Sequence, residues 1–297
     1  MMNNKIEHKQ ISLVLGSGGA RGLAHIGVIH WLNEHNFKIS SISGCSIGSL
    51  IGGVYAAGKL DDFEDWVRAI TKVDIVSLLD IAWHKAGLVK GDRIINTLTE
   101  LVGDIQIEDL SIKYTAIAAD IFNEKEVWMN SGRLFDAIRA SISLPLFFTP
   151  FRYKGIDLID GGVLNPVPIA PTFSDDTDLT IAVNLGAPSI IEPAEIQPDS
   201  VLIDEGSNKF TQGINKFIST FKSDDSSQSN WDAYDIANQA FDAMQSTISR
   251  QKLAAYPPNY SIDIARNACG TLEFDRADEM IKLGYQQAEN TLGFLVK

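Results

Sequence analysis

Two cysteines in 297 residues, Cys45 and Cys269, lie far apart in the sequence and imply no disulfide framework. Basic charge is short as well: 25 Lys and Arg against 38 Asp and Glu leave a net charge of −13. That balance argues against non-specific nucleic-acid binding and gives no general attraction to anionic lipid, so any membrane contact has to be local. No run of about eighteen apolar residues occurs, and no segment is expected to span a membrane. Residues 1–10 are polar, without an apolar core of signal-peptide length, which makes a reducing cytoplasm the expected compartment. Histidine is scarce and confined to the front of the chain, at His8, His25, His30, His35 and His84. No repeat of fixed period is present.

With 45% apolar and 21% charged residues, the composition is globular and the chain is long enough for a sizeable core. The length allows two domains, and a single α/β domain with insertions fits equally well. Residues 11–15 form a β-type run that ends in Gly16-Ser17-Gly18-Gly19-Ala20-Arg21-Gly22. Residues 23–33 then carry Leu23, Ile26, Ile29 and Leu32 at helical spacing, for one buried face. A second strand over 39–43 feeds Gly44-Cys45-Ser46-Ile47-Gly48, and a Gly- and Ala-rich helix follows over 46–57, stopped by Gly58. This alternation is the rhythm of a parallel sheet covered by helices, an α/β architecture.

The stretch 61–110 reads as mainly helical, with interruptions at Gly87, Gly91 and Gly103. Strands over 113–120 and 126–129 flank a polar hairpin, and a short helix covers 134–140. A hairpin over 153–159 ends at Asp160-Gly161-Gly162, and 179–185 is an apolar strand of parallel-sheet type. Between 187 and 230 the composition shifts to Ser, Asp, Gln, Asn and Pro, which reads as a long, partly disordered surface insertion. Amphipathic helices over 238–253 and 276–295 flank a last strand near 260–264. The expected organisation is a core over 11–186, the insertion over 187–230, and C-terminal helices over 231–297 that complete the same domain.

Three features bear on chemistry. The loop from Gly16 fails as a dinucleotide fingerprint, because its sixth position is Arg21 and the next strand ends in Ser43-Gly44-Cys45 rather than an acid. It fails as a P-loop because Arg21-Gly22-Leu23 stands where Gly-Lys-Ser/Thr is needed. What remains is a set of backbone N–H groups at a helix start, read either as an oxyanion hole built on Gly18 and Gly19 or as a tight turn with no ligand. The second feature, Gly44 to Gly48, has the G-x-S-x-G form of a nucleophile elbow, which pushes a serine hydroxyl out of the sheet at a helix N-terminus.

A nucleophilic serine needs a base. No histidine follows residue 84, so the order Ser…Asp…His of an α/β-hydrolase is excluded. A front-half histidine is one alternative, although His25, His30 and His35 fall in or beside the first helix, where structural or solvated roles are the ordinary reading. A carboxylate is the other, and Asp160 stands where two glycines let the backbone approach a second loop. The plain alternative for Asp160 is an Asp-Gly turn.

Taken together, Gly18-Gly19-Ala20-Arg21-Gly22, Gly44-Cys45-Ser46-Ile47-Gly48 and Asp160-Gly161-Gly162 resemble the patatin-like phospholipase family, in its order and over about residues 11–186. Residues 140–145 look like a further Ser- and Pro-containing block of that family. The chain is most similar to short bacterial RssA-like members related to the catalytic domain of neuropathy target esterase, in 83–93 and 123–132 as well. One departure is Ser17, where the family's loop usually opens with glycine; a changed turn geometry is expected from it.

The resemblance implies a three-layer α/β/α sandwich with a mostly parallel central sheet, and hydrolysis of acyl lipids or lysophospholipids without metal or other cofactor. It implies Ser46 as nucleophile, Asp160 as general base, and the amides of Gly18, Gly19 and Ala20 as oxyanion donors. Arg21 is implied to orient the loop, with Gly16, Gly22, Gly44, Gly48, Gly161 and Gly162 as supporting positions. Acyl transfer from the same serine to an alcohol, and a regulatory protein that keeps the fold, are the alternative functions.

Inside the polar insertion, 207–223 sets Phe210, Ile214, Phe217, Ile218 and Phe221 at helical spacing beside Lys209, Lys216 and Lys222. One reading is an interfacial helix giving a transient, peripheral membrane contact through Phe210, Ile214, Phe217 and Phe221. The other, slightly favoured, docks the same face on the body of the protein as a lid or core.

Overall fold

The computed structural model describes residues 9–78, 89–189 and 233–296. All but the first three residues of the 187–230 segment lie outside this set, as do the whole of 207–223, residues 83–88 and His8.

One sheet organises the chain. Its strands are β1 (Gln10–Leu15), β2 (Lys38–Cys45), β3 (Lys113–Asp120), β4 (Lys125–Met129), β5 (Phe151–Tyr153), β6 (Ile156–Asp160), β7 (Leu179–Ala187) and β8 (Tyr260–Ala265). They lie in the order β5-β6-β3-β2-β1-β7-β8, with β4 also paired to β3. The four pairings among β3, β2, β1, β7 and β8 are parallel, and those of β4, β5 and β6 are antiparallel. The sheet is therefore mostly parallel.

The register on β3 fixes where strands meet. β2 pairs with β3 as far as Cys45 opposite Ile117, and β6 pairs with it from Ala118 opposite Asp160. β4 spans Ala116 to Asp120 on the same strand and so overlaps both partners. A strand has only two edges, so β2 and β6 must share one of them in succession. β2 runs with β3 and β6 runs against it, and their C-terminal ends meet head on.

The principal helices are α1 (Ala24–Glu34), α2 (Ile47–Ala56), α3 (Leu60–Ala69), α4 (Lys72–Leu78), α5 (Asp92–Val102), α6 (Leu134–Ser141), α7 (Ala233–Ala255) and α8 (Ala277–Leu292). Alternation along β1 separates the two faces of the sheet. Ile11, Leu13 and Leu15 pack into the large core with residues of α1, α2, α6 and α8. Val14 points the other way, to Val167, Ile169, Ala182 and Leu253 of α7. The result is a three-layer arrangement whose second helical face is thin.

The helix α1 departs from the one-faced burial expected of it: every residue from Ala24 to Ile29, with Trp31 and Leu32, is buried. The reason is α8, which packs along α1 so closely that Trp31 Nε1 donates to Glu289 at 2.7 Å.

Candidate active site

The strand β2 ends at Cys45 and α2 begins at Ile47, so Ser46 alone makes the turn, with φ 55° and ψ −125°. For a residue with a side chain this is strained backbone, costing about 1–3 kcal/mol, and it persists only where the surroundings enforce it. Close packing does so here. A Cβ on Gly48 would lie 2.2 Å from the Leu15 carbonyl oxygen, and one on Gly44 would lie 2.5 Å from that of Gly48. The first turn of α2 thus rides directly on the end of β1. The Ser46 carbonyl starts the helix, accepting from Ser49 N at 2.9 Å and Ser49 Oγ at 2.6 Å.

The Ser46 hydroxyl donates to Asp160 Oδ2 at 2.5 Å. Asp160 is the last residue of β6 and caps a 3-10 turn over Gly161–Val163, its Oδ1 accepting from Gly162 N at 2.7 Å. Gly161 comes so close to β3 that a Cβ would sit 2.2 Å from the Ile117 carbonyl oxygen. The Asp160 side chain is fully buried, and burial pushes its carboxyl up to about 6. Hydrogen bonds from Ser46, Gly162 and Cys45 oppose that shift. The same burial, with the Asp160 charge beside it, pushes the Cys45 thiol well up, so it is protonated at neutral pH.

The glycine loop follows β1. Gly16 N and Ser17 N are taken by the carbonyls of Val183 and Pro166, at 3.0 and 2.8 Å. Among the described residues neither the Gly18 nor the Gly19 amide donates a hydrogen bond. Ala20 is a correction: its N–H is spent on the Thr271 carbonyl at 2.9 Å and is not available as an oxyanion donor. Arg21 is buried, and its Nε donates to the Gly18 carbonyl at 2.9 Å. Its Nη1 donates to the Arg266 carbonyl at 2.8 Å, and Nη2 lies 3.6 Å from Asp242 of α7. Gly22 backs onto the Ile47 side chain. The Ser17 hydroxyl accepts from Gln245 of α7 at 3.2 Å, so the serine serves as a docking point for that helix.

From Ser46, Ile47 and Gly19 a cavity runs between α2, α3, α5 and the segment after α6. Its free space is about 920 Å³ with the open mouth and the solvent in it included. Phe63, Val67 and Leu98 line its most buried part, and Ile75 and Leu144 its more open part. Apart from Ser46 and Thr271, every side chain lining it among the described residues is apolar, and none of these is charged.

The described histidines are all engaged elsewhere. His25 is buried, donates from Nε2 to the Gly16 carbonyl at 2.9 Å, and is lowered by burial to about 4. His30 bonds Glu64 and His35 bonds the Trp31 carbonyl. Among the described residues no group of three or more His, Cys, Asp or Glu is placed to hold a metal ion, and no helix is long and apolar enough to cross a membrane.

Several contacts at this site carry no local sequence signal, although Ser141 itself lies in the Ser- and Pro-containing block over 140–145. Ser141 Oγ accepts from Ser46 N; Thr271 and Arg266 hold the glycine loop, and Gln245 and Asp242 reach it from α7. Their partners are distant in the chain, so no spacing rule marks them.

A family model described as patatin-like phospholipase matches residues 13–173. An uncharacterised NTE family protein of Mycobacterium bovis is 34% identical over 328 aligned positions, covering 95% of this chain and 91% of that protein. Lysophospholipase NTE1 of Saccharomyces cerevisiae is 31% identical over 193 positions, covering 62% of this chain but only 11% of that much longer protein. Among solved structures, VipD from Legionella pneumophila is 14% identical with a TM-score of 0.47, covering 96% of this chain and 66% of that one.

Proposed function

The chain belongs to the patatin-like phospholipase family, and on that footing we propose that it hydrolyses acyl esters of phospholipids or lysophospholipids through a Ser46–Asp160 dyad. The observation that carries the reading is the 2.5 Å hydrogen bond from the Ser46 hydroxyl to a buried carboxylate, at one end of an apolar cavity. The acyl chain occupies the cavity and brings its ester carbonyl to Ser46. As Ser46 Oγ bonds to the carbonyl carbon, its proton passes to Asp160. The Gly18 and Gly19 amides take the charge that develops on the carbonyl oxygen.

Collapse of the tetrahedral intermediate breaks the ester C–O bond, and the leaving alcohol takes the proton from Asp160. Water then attacks the acyl-serine, giving its proton to Asp160 and releasing the fatty acid as the proton returns to Ser46. Asp160 suits this cycle because its raised pKa lies near the working pH, where a base both accepts and returns a proton readily. Arg21 acts through the loop, fixing the Gly18 carbonyl and thereby the direction of the neighbouring amides.

The test is labelling with a long-chain fluorophosphonate, with the adduct located by mass spectrometry. The expected adduct is on Ser46, its formation slowed by lysophosphatidylcholine micelles and by Asp160→Asn. An adduct elsewhere, or none, contradicts the reading.

A further inference from the structure

The helix α6 ends at Ser141, whose hydroxyl is fully buried and makes two bonds. It accepts from the Ser46 backbone N–H at 2.9 Å and donates to the Ile117 carbonyl at 2.6 Å. Cys45 and Ile117 are the last pair in the β2–β3 register. Beyond that pair, the Ser46 N–H and the Ile117 carbonyl do not meet each other; both meet the Ser141 hydroxyl. One oxygen atom is thus spliced between two strands, at the point where β2 must leave the sheet for the elbow and β6 must enter it.

We propose that Ser141 is a positioning residue for the nucleophile: its hydroxyl holds the Ser46 backbone off β3 and so aims Oγ at Asp160. This rests on the reading of Ser46 as nucleophile. Without the hydroxyl, a buried N–H and a buried carbonyl lose their partner. They regain one by closing on each other, which draws Ser46 back toward the strand and away from the strained conformation that presents its side chain.

The neighbouring residues fit the same role. The Ser143 carbonyl accepts the Asp160 N–H at 2.9 Å, so two residues of one short segment hold the backbones of both reactive groups. Ile142 and Leu144, interleaved with them, line the cavity. The end of α6 therefore sets the distance between Ser46 and Asp160 from a single rigid support.

Ser141→Ala is compared with wild type and with Ser43→Ala, which removes another buried hydroxyl, on β2, that has no hydrogen-bond partner among the described residues. Rates on a short soluble ester are divided by the number of fluorophosphonate-labelled sites, which removes misfolded protein from the comparison. Ser141→Ala is expected to lose about 10- to 100-fold in kcat per labelled site, with KM within about threefold, as a misaimed nucleophile would. Ser43→Ala is expected to keep its kcat. Ser141→Cys, which retains a γ atom but a weak donor and acceptor, is expected to fall between. Wild-type turnover with Ser141→Ala unchanged per labelled site, or an equal loss in Ser43→Ala, overturns this proposal alone. A wild type that neither turns over nor labels removes the nucleophile reading, and this proposal with it.

Discussion

Ser46 and Asp160 stand 114 residues apart in the chain and 2.5 Å apart in space, because β2 and β6 run toward each other along one edge of β3 and stop where they meet. The sheet thereby fixes the Asp160 carboxylate beside the Ser46 hydroxyl. Gly162 N–H, joined by the Cys45 thiol at 3.9 Å, holds one carboxylate oxygen and leaves the other for Ser46.

Burial of that carboxylate gives a pH prediction with a definite sign. The Asp160 pKa is raised from 3.8 to about 6 in the folded chain. Turnover that needs the ionised base rises with pH through about 6, on a single acid limb. For stability the folded state binds this proton more tightly than the unfolded state, so the contribution is fully present below 3.8 and lost as pH rises through about 6. Asp160→Asn removes that loss. Its unfolding free energy in urea should gain on wild type by about 2 kcal/mol between pH 4 and 7. A difference that stays flat over this range contradicts the account.

Arg21 tests the glycine loop. Arg21→Met keeps the buried stem but leaves the Gly18 and Arg266 carbonyls and Asp242 without the guanidinium. We expect a kcat loss of about tenfold or more and a stability loss of about 1–3 kcal/mol. Arg21→Lys should restore little of either, since one ammonium does not span partners that a planar fork reaches. Steady-state rates and urea unfolding of both variants decide this, and a lysine variant equal to wild type contradicts it.

With the acyl chain in the cavity as proposed, the cavity wall sets chain length. Leu98 is fully buried in its wall, and Leu98→Phe shortens the space at an overpacking cost of about 1–3 kcal/mol. The ratio of rates on 12-carbon to 4-carbon p-nitrophenyl esters should fall about tenfold, the worth of one or two methylene groups in an apolar site. An unchanged ratio means the acyl chain lies elsewhere.

How much of this was legible in the sequence depends on the range of the interaction. The elbow was visible because a strand, a glycine-flanked serine and a helix start are all local. The Asp160 turn was visible for the same reason. That Ala20's amide is closed off by Thr271 depends on a contact to the far end of the chain. The burial of α1 on nearly all sides depends equally on α8, from the last twenty or so residues, and the pattern Leu23, Ile26, Ile29, Leu32 records only part of what is buried. Ser141 looked like part of a family block, while its place between Ser46 and Ile117 follows from the order of strands, which no periodicity encodes.

The most direct measurement is steady-state hydrolysis of p-nitrophenyl butyrate by wild type, Ser46→Ala and Asp160→Asn, with folding checked by thermal melts. The account predicts wild-type turnover and a fall of about a thousandfold or more in both variants, as when either member of a nucleophile–base pair is removed. Turnover that survives Ser46→Ala in folded protein contradicts it.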